Sequence, residues 1–308
     1  MRTTSPTIPD VLQSVENGAA LCVLASGSGG NCSVLALRRA SLLRVVLLDL
    51  GLSARKTFKL LADRGIRPDQ IDDALITHLD ADHFNASWLT AMPAHVRIRM
   101  HEGHERQLRL NGGGMAADRV QTFDVDPVDI DEGVTIHPHL MSHDEAGVST
   151  LRIDMPGLGA GSLGFCTDLG HVTNNLIEHL RCDSGFGEGV DVLAIESNYC
   201  PRMQLASARP EFLKKRIMGG SGHLSNQEAL DAVRAVSPRD HVVLLHLSRD
   251  CNDPALVADL HAGCDYALTI ANQYNPTRWI RIARGEKPLA RPVVSTRAIG
   301  TGSLWSRA

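Results

Sequence analysis

The chain has 308 residues, 43% of them apolar, enough to bury a sizeable core and to exclude bulk disorder. Its formal net charge is −4, so there is no global basic field and any contact with nucleic acid must use a local patch. No run approaches the ~18 apolar residues that a membrane span needs, and the seven cysteines are too widely spaced for C-x-x-C motifs or a disulfide framework, which implies a reducing cytoplasm.

Residues 1–18 are polar and read as a loose arm, residues 19–280 as one domain without repeats or linkers, and 281–308 as a loose extension. Leu21–Ala25 predicts a strand ending in a Gly/Ser turn, and Val45–Leu48 a second strand. The apolar spacing of Ala54–Ala62 suits a helix. Ala74–Thr77, Val134–Leu140, Leu163–Cys166, Val190–Ile195 and Val242–Leu247 are further predicted strands. Ser225-Asn226-Gln227-Glu228 matches a capping box, opening a helix that Ser237-Pro238 stops. Asp49, His78, Asp168, Glu196 and His246 each fall at or just past the C-terminal end of a strand-like run, where sites gather in open α/β sheets.

The strongest motif is Thr77-His78-Leu79-Asp80-Ala81-Asp82-His83, with four potential metal ligands directly after a strand. Imidazole and carboxylate together suit Zn, Mn or Fe; a solvated acidic turn is the plainer alternative. Ser142-His143-Asp144, Thr167-Asp168-Leu169-Gly170 and Leu245-His246-Leu247 supply further ligand types at strand ends. A lone histidine in an apolar run such as His246 is ordinarily a core residue, but here it completes a set. Asp49 is placed to orient the histidine loop through a hydrogen bond. His95, His101, His104, His171, His179, His241 and His261 match no motif, and His137 and His139 read as packing or solvent-facing.

The order Asp49, His78-x-Asp80-x-Asp82-His83, His143, Asp168 and His246 resembles the metallo-β-lactamase superfamily over roughly residues 20–275. Its usual ligand loop is H-x-H-x-D-H; this chain has Asp80 where the second histidine is expected. Ala25-Ser26-Gly27-Ser28-Gly29-Gly30-Asn31-Cys32 resembles the opening loop of the YycJ-type exonucleases. Glu196-Ser197-Asn198-Tyr199, Leu213-Lys214-Lys215-Arg216-Ile217 and Gly222-His223-Leu224-Ser225-Asn226 resemble their second half. Those proteins are DNA exonucleases similar in layout to the tRNA-processing RNase Z enzymes, where a glutamate–histidine pair serves the leaving group; Glu196 and His223 fall at the matching positions.

The resemblance implies a four-layered αββα metallo-β-lactamase sandwich of the α/β class. It implies one or two divalent metal ions (Zn, Mn or Fe): one held by His78, Asp80, His143 and Asp168, the other by Asp82, His83, Asp168 and His246, with Asp168 bridging. The implied reaction is phosphodiester hydrolysis, an exonuclease action on DNA or RNA in which hydroxide generated at the metals attacks phosphorus. Asp82 would take the proton of the attacking water, and His223, held by Glu196, would protonate the leaving oxygen. The carboxylate at Asp80 hardens its site toward Mn²⁺ or Mg²⁺. Lys214, Lys215 and Arg216, in a basic stretch with Arg202 and Arg209, are candidates for the phosphate backbone, with Asn198 beside them as a substrate contact; a solvated helix face is the alternative. Aromatic content of 4% leaves few base-stacking platforms. Other readings of the same residues are a small-molecule hydrolase (cyclic or other phosphodiester, lactone, β-lactam), an iron-dependent oxidoreductase, and a non-catalytic binding protein.

Overall fold

Strand-forming runs that are apolar on both faces need cover on both sides, and the chain supplies it in four layers. The computed structural model describes residues 8–110, 119–142, 146–181, 189–220 and 222–284. The first sheet holds β1 (Asn17–Ala25), β2 (Cys32–Arg39), β3 (Leu42–Leu48), β4 (Ile71–Ile76), β5 (Arg97–His101), β6 (Val120–Phe123) and, at its far edge beside β1, β14 (Ile280–Ile282). The second holds β7 (Val128–Asp131), β8 (Val134–Met141), β9 (Val148–Asp154), β10 (Ser162–Cys166), β11 (Val192–Glu196), β12 (His241–Leu245) and β13 (Ala267–Ile270) in spatial order. Both sheets follow one plan. An antiparallel meander runs to β3 or β10, and parallel strands follow from there: β3–β4–β5–β6 and β10–β11–β12–β13.

Alternate residues of each strand face opposite layers. Leu21 and Val23 of β1, Phe165 of β10, Ala194 of β11 and Leu245 of β12 meet in the core between the sheets. Their neighbours Cys22 and Leu24 pack outward with Ala54 and Leu61 of α1 (Ala54–Ala62). On the second sheet Leu193, Ile195, Val242 and Leu244 pack outward against α4 (Asn174–Leu180), α7 (Asn226–Val236) and α8 (Pro254–Leu260). The remaining helices are α2 (Trp88–Ala91), α3 (Glu102–Leu110), α5 (Pro201–Ala206) and α6 (Glu211–Met218). The capping box at Ser225 and Glu228 is formed, and Ser237 ends α7 at φ 56°.

Several expectations need correction. Part of the expected arm, 8–18, is packed: Leu12 is fully buried beside Ala20 and Ala36. The expected boundary at 280 falls at the start of β14, which pairs with β1; most of the 281–308 extension lies outside the described residues. The Val242–Leu247 run stays apolar, but the strand stops at Leu245 because His246 takes a left-handed conformation at φ 54°.

Candidate metal centre and cleft

The ligand loop after β4 is held by two other loops. Leu50 and His83 share a hydrogen bond (Leu50 N to His83 O, 2.8 Å), Asn31 N donates to Asp82 O at 2.7 Å, and Gly51 N to Asn31 O at 2.8 Å. The approach is so close that a Cβ on Gly51 would lie 1.7 Å from Asp82 O, so only glycine fits there. Three of the five described non-glycine residues with positive φ are Asp49 (62°), Asp168 (50°) and His246 (54°), each just past a strand end. Such conformations cost on the order of 1–3 kcal/mol and persist where surrounding structure enforces them.

These turns bring together side chains from both sheets. His83 Nε2 lies 2.8 Å and His78 Nε2 3.4 Å from Asp168 Oδ2. His246 Nδ1 lies 2.8 Å from Asp168 Oδ1, and its Nε2 3.1 Å from Asp82 Oδ2. Asp80, with a side chain 43% exposed at the cleft, has Oδ2 at 3.9 Å from His78 Nε2. Asp49 accepts at Oδ2 from His83 Nδ1 (2.7 Å) and at Oδ1 from Thr77 N (2.8 Å) and Thr77 Oγ1 (2.9 Å). A carboxylate on Nδ1 fixes the ring and leaves Nε2 as the ligand nitrogen. His143 lies outside the described residues; β9, which follows it, begins beside this loop, with Ser149 N donating to Thr77 O at 2.9 Å.

The donor set fits a divalent cation. Asp82, His83, Asp168 and His246 offer ligand atoms all within 4.8 Å of one another, and three of the four are buried. Hard carboxylates with imidazoles are the donors that Zn²⁺, Mn²⁺ and Fe²⁺ take. Burial alone would push the His83 imidazole down, but the Asp168 and Asp49 carboxylates overcome it and hold it up to about 10. His246 is likewise raised well above the usual histidine range against burial, by Asp168 first and by its bonds to Asp82 and Glu196. Burial would raise Asp168, but His246 and His83 hold it well below the usual carboxylate range. A cation entering the cluster would displace these histidine protons.

Glu196, fully buried at the end of β11, accepts from His223 Nδ1 at 2.6 Å (Oε1) and from Leu169 N at 2.8 Å (Oε2). His223 Nδ1 is 3.8 Å from Asp168 Oδ1, so the pair borders the metal cluster. Against burial, the Glu196 charge raises His223 above the usual histidine range. The expected substrate contacts divide. Asn198 is buried at the cleft wall and donates through Nδ2 to His246 O at 2.9 Å, so it positions a ligand. Lys214 is turned away from the phosphate role expected of it: it is buried, and its Nζ is bonded to Leu205 O (2.8 Å) and Glu211 Oε1 (3.1 Å), tying α6 to α5. Lys215 is exposed and outside the cleft lining, whereas Arg216 lines the cleft. Arg209, read only as part of the basic stretch, lines it too. Asn31 and Thr77, not singled out as site residues by the sequence, bond to Asp82 and Asp49 at the cluster; Asn31 sits in the Gly/Ser loop that carried the resemblance. The histidines without a motif bond elsewhere, for example His104 Nε2 with Gly147 O at 2.9 Å and His261 Nδ1 with Tyr266 Oη at 2.7 Å.

Residues 27–173 match the sequence model of the metallo-beta-lactamase superfamily. With the two-sheet sandwich and the His/Asp cluster at its strand ends, this makes the protein a metal-dependent hydrolase of the metallo-β-lactamase fold. Its sequence is 27% identical over 269 residues to the exodeoxyribonuclease WalJ of Streptococcus pneumoniae serotype 2 (strain D39), covering 82% of this chain and 94% of that protein. It is 26% identical over 237 residues to the exodeoxyribonuclease YycJ of Bacillus anthracis, covering 76% and 84%. In fold it matches the short form of human tRNase Z at TM-score 0.53 and 16% identity, covering 84% of this chain and 98% of that one. No helix among the described residues is long and apolar enough to cross a membrane.

Proposed function

We propose that the protein hydrolyses phosphodiester bonds at the ends of nucleic acid strands, with DNA as the substrate. The observation that carries this reading is the Glu196–His223 pair, bonded at 2.6 Å beside Asp168 in a cleft that Arg209 and Arg216 also line. A sugar alkoxide is a poor leaving group and needs a proton, and a histidine held at one nitrogen by a carboxylate delivers one from the other. The exodeoxyribonuclease names of the two bacterial relatives support the same reading.

His78, Asp80 and Asp168, with His143, are the residues for one cation; Asp82, His83, Asp168 and His246 are those for the other. When bound, such ions lower the pKa of water toward ~7 and offset charge building on the phosphate oxygens. The chain's own residues do the rest. Asp49 fixes the His83 ring, and Asn198 fixes the turn that carries His246. Asp82, its carboxyl held below the usual range by the bond from His246 in spite of burial, is the candidate to take the proton of the attacking water. Glu196 keeps Nδ1–H of His223 engaged, so Nε2 gives its proton to the leaving oxygen. The described cysteines form no disulfides, which suits a reducing cytoplasm.

The test compares two leaving groups. For His223→Gln, turnover of a single-stranded oligonucleotide should fall by ~10²–10⁴. Turnover of bis(p-nitrophenyl) phosphate, whose nitrophenolate leaves without a proton, should fall far less. Equal losses on both substrates would remove His223 from the acid role.

A further inference from the structure

Exposed aromatic rings are scarce among the described residues, and those that occur adjoin residues that line the cleft. Among the described residues only Phe212 and Tyr274 are exposed aromatics, at 73% and 69%. Phe212 precedes the cleft-lining Leu213 on α6 and shares a helix face with Arg216, four residues on, which also lines the cleft. Tyr274 adjoins the cleft lining through another segment. Its Oη accepts from Arg249 Nη1 at 3.2 Å, and Arg249 follows the cleft-lining Ser248. Its neighbour Gln273 holds the loop that brings Ser28 to the cleft, accepting from Gly29 N at 2.7 Å and donating to Gly30 O at 2.9 Å.

Arg209 lines the cleft itself. Its Nη1 donates to Oε1 of the fully buried Gln204 at 3.1 Å, and its Nη2 to Ser248 Oγ at 3.2 Å and Asp250 Oδ2 at 3.3 Å. A guanidinium fixed in this way meets a phosphate with little further ordering. Rings at the rim with an anchored cation beside them are the two components of single-strand binding: every base has a π-face, and every nucleotide a charge. A base inside a duplex has both faces covered, so away from a duplex end such rings can stack only on unpaired bases.

We propose that this rim binds single-stranded polynucleotide next to the scissile phosphate, with Phe212 and Tyr274 stacking on bases and Arg209 holding a phosphate. The inference rests on the phosphodiesterase reading of the metal centre. It explains how a chain so poor in aromatics engages a strand: the exposed rings among the described residues flank the cleft lining.

The test is fluorescence anisotropy with two labelled, phosphorothioate-linked DNA strands of equal length, one with bases and one abasic. Wild type should bind the base-bearing strand more tightly. Phe212→Ala and Tyr274→Ala should each weaken that binding by about 5- to 150-fold and leave the abasic strand alone, and Phe212→Trp should retain it. Arg209→Gln should weaken both strands alike and reduce the salt slope by ~0.7. Equal wild-type affinity for the two strands, or alanine variants that still discriminate as wild type does, would overturn the proposal. Cleavage of an ordinary diester is measured alongside. Discrimination without cleavage would refute the reading of the metal centre and sustain the rim, and cleavage without discrimination would do the reverse.

Discussion

At the scale of single residues, Asp80 separates this chain from the usual ligand loop. It stands at the cleft with Oδ2 3.9 Å from His78 Nε2 and a carboxylate where an imidazole is usual. A harder, more anionic donor favours Mn²⁺ over Zn²⁺. Asp80→His should therefore shift the preference of metal-free protein toward Zn²⁺, read by calorimetric titration with each ion; the same preference in both proteins would show that Asp80 does not tune the site. The ligands themselves were legible because they cluster in sequence directly after strands. Asn31 was not, since its contact with Asp82 spans fifty-one positions and runs largely through the backbone. Lys214 and Arg209 show the other limit: charge is visible in sequence, but the direction a side chain takes from a helix or from the bend before it is not. Lys214 was expected at phosphate and instead caps Leu205 O, while Arg209 lines the cleft.

At the scale of elements, a histidine group joins α4 to the second sheet. His179 stacks on His139 at 5.1 Å, its Nε2 meets His137 O at 3.0 Å, and Arg152 Nη1 donates to its carbonyl at 2.8 Å. Burial first, then the His139 and Arg152 charges, pushes His179 down to about 4, and burial lowers His139 as well. The unfolded chain thus takes up these protons near pH 6.5 while the fold resists them. The stability this seam contributes is present above pH 6.5 and drains away as pH falls toward 4. His179→Phe should flatten that part of the stability profile, measured by urea unfolding from pH 7 to 4; an unchanged slope would mean the loss arises elsewhere. Strand periodicity was readable where apolar residues ran together, as in β3, or alternated with polar ones, as in β8. Strands β2, β5, β6, β7, β9, β13 and β14 are not among the predicted runs; in β2 Ser33, Arg38 and Arg39, and in β9 Ser149, Thr150 and Arg152, interrupt the apolar pattern with polar side chains.

For the molecule as a whole, the two sheets are versions of one plan, and so are their site turns. Asp49-Leu50-Gly51 follows β3 and Asp168-Leu169-Gly170 follows β10, each where an antiparallel meander gives way to parallel strands, and both aspartates are left-handed. One accepts from His83 Nδ1, and the other sits within the His/Asp cluster. No repeat is visible in the sequence, because the match lies in topology and a three-residue turn. Since His78, Asp82 and His83 come from one sheet and Asp168 and His246 from the other, a cation here ties the two together. Free metal at ~100 times its Kd should stabilise the fold by ~2.7 kcal/mol. Chelation should lower the unfolding midpoint accordingly and raise amide exchange at the strand ends of both sheets; exchange rising in one sheet alone would argue against a shared site.

The chain passes from the first sheet to the second once, between Phe123 and Val128, and returns once, to lay β14 beside β1. A break between those two residues would leave each fragment with a continuous hydrogen-bonded ladder and half of a ligand set. The apolar faces that meet in the shared core, together with the borrowed edge strand, give the fragments reason to reassemble. Hydrolysis would then be a property of the reunited pair, and this protein, cut at that point, a complementation reporter whose signal counts meetings between its halves.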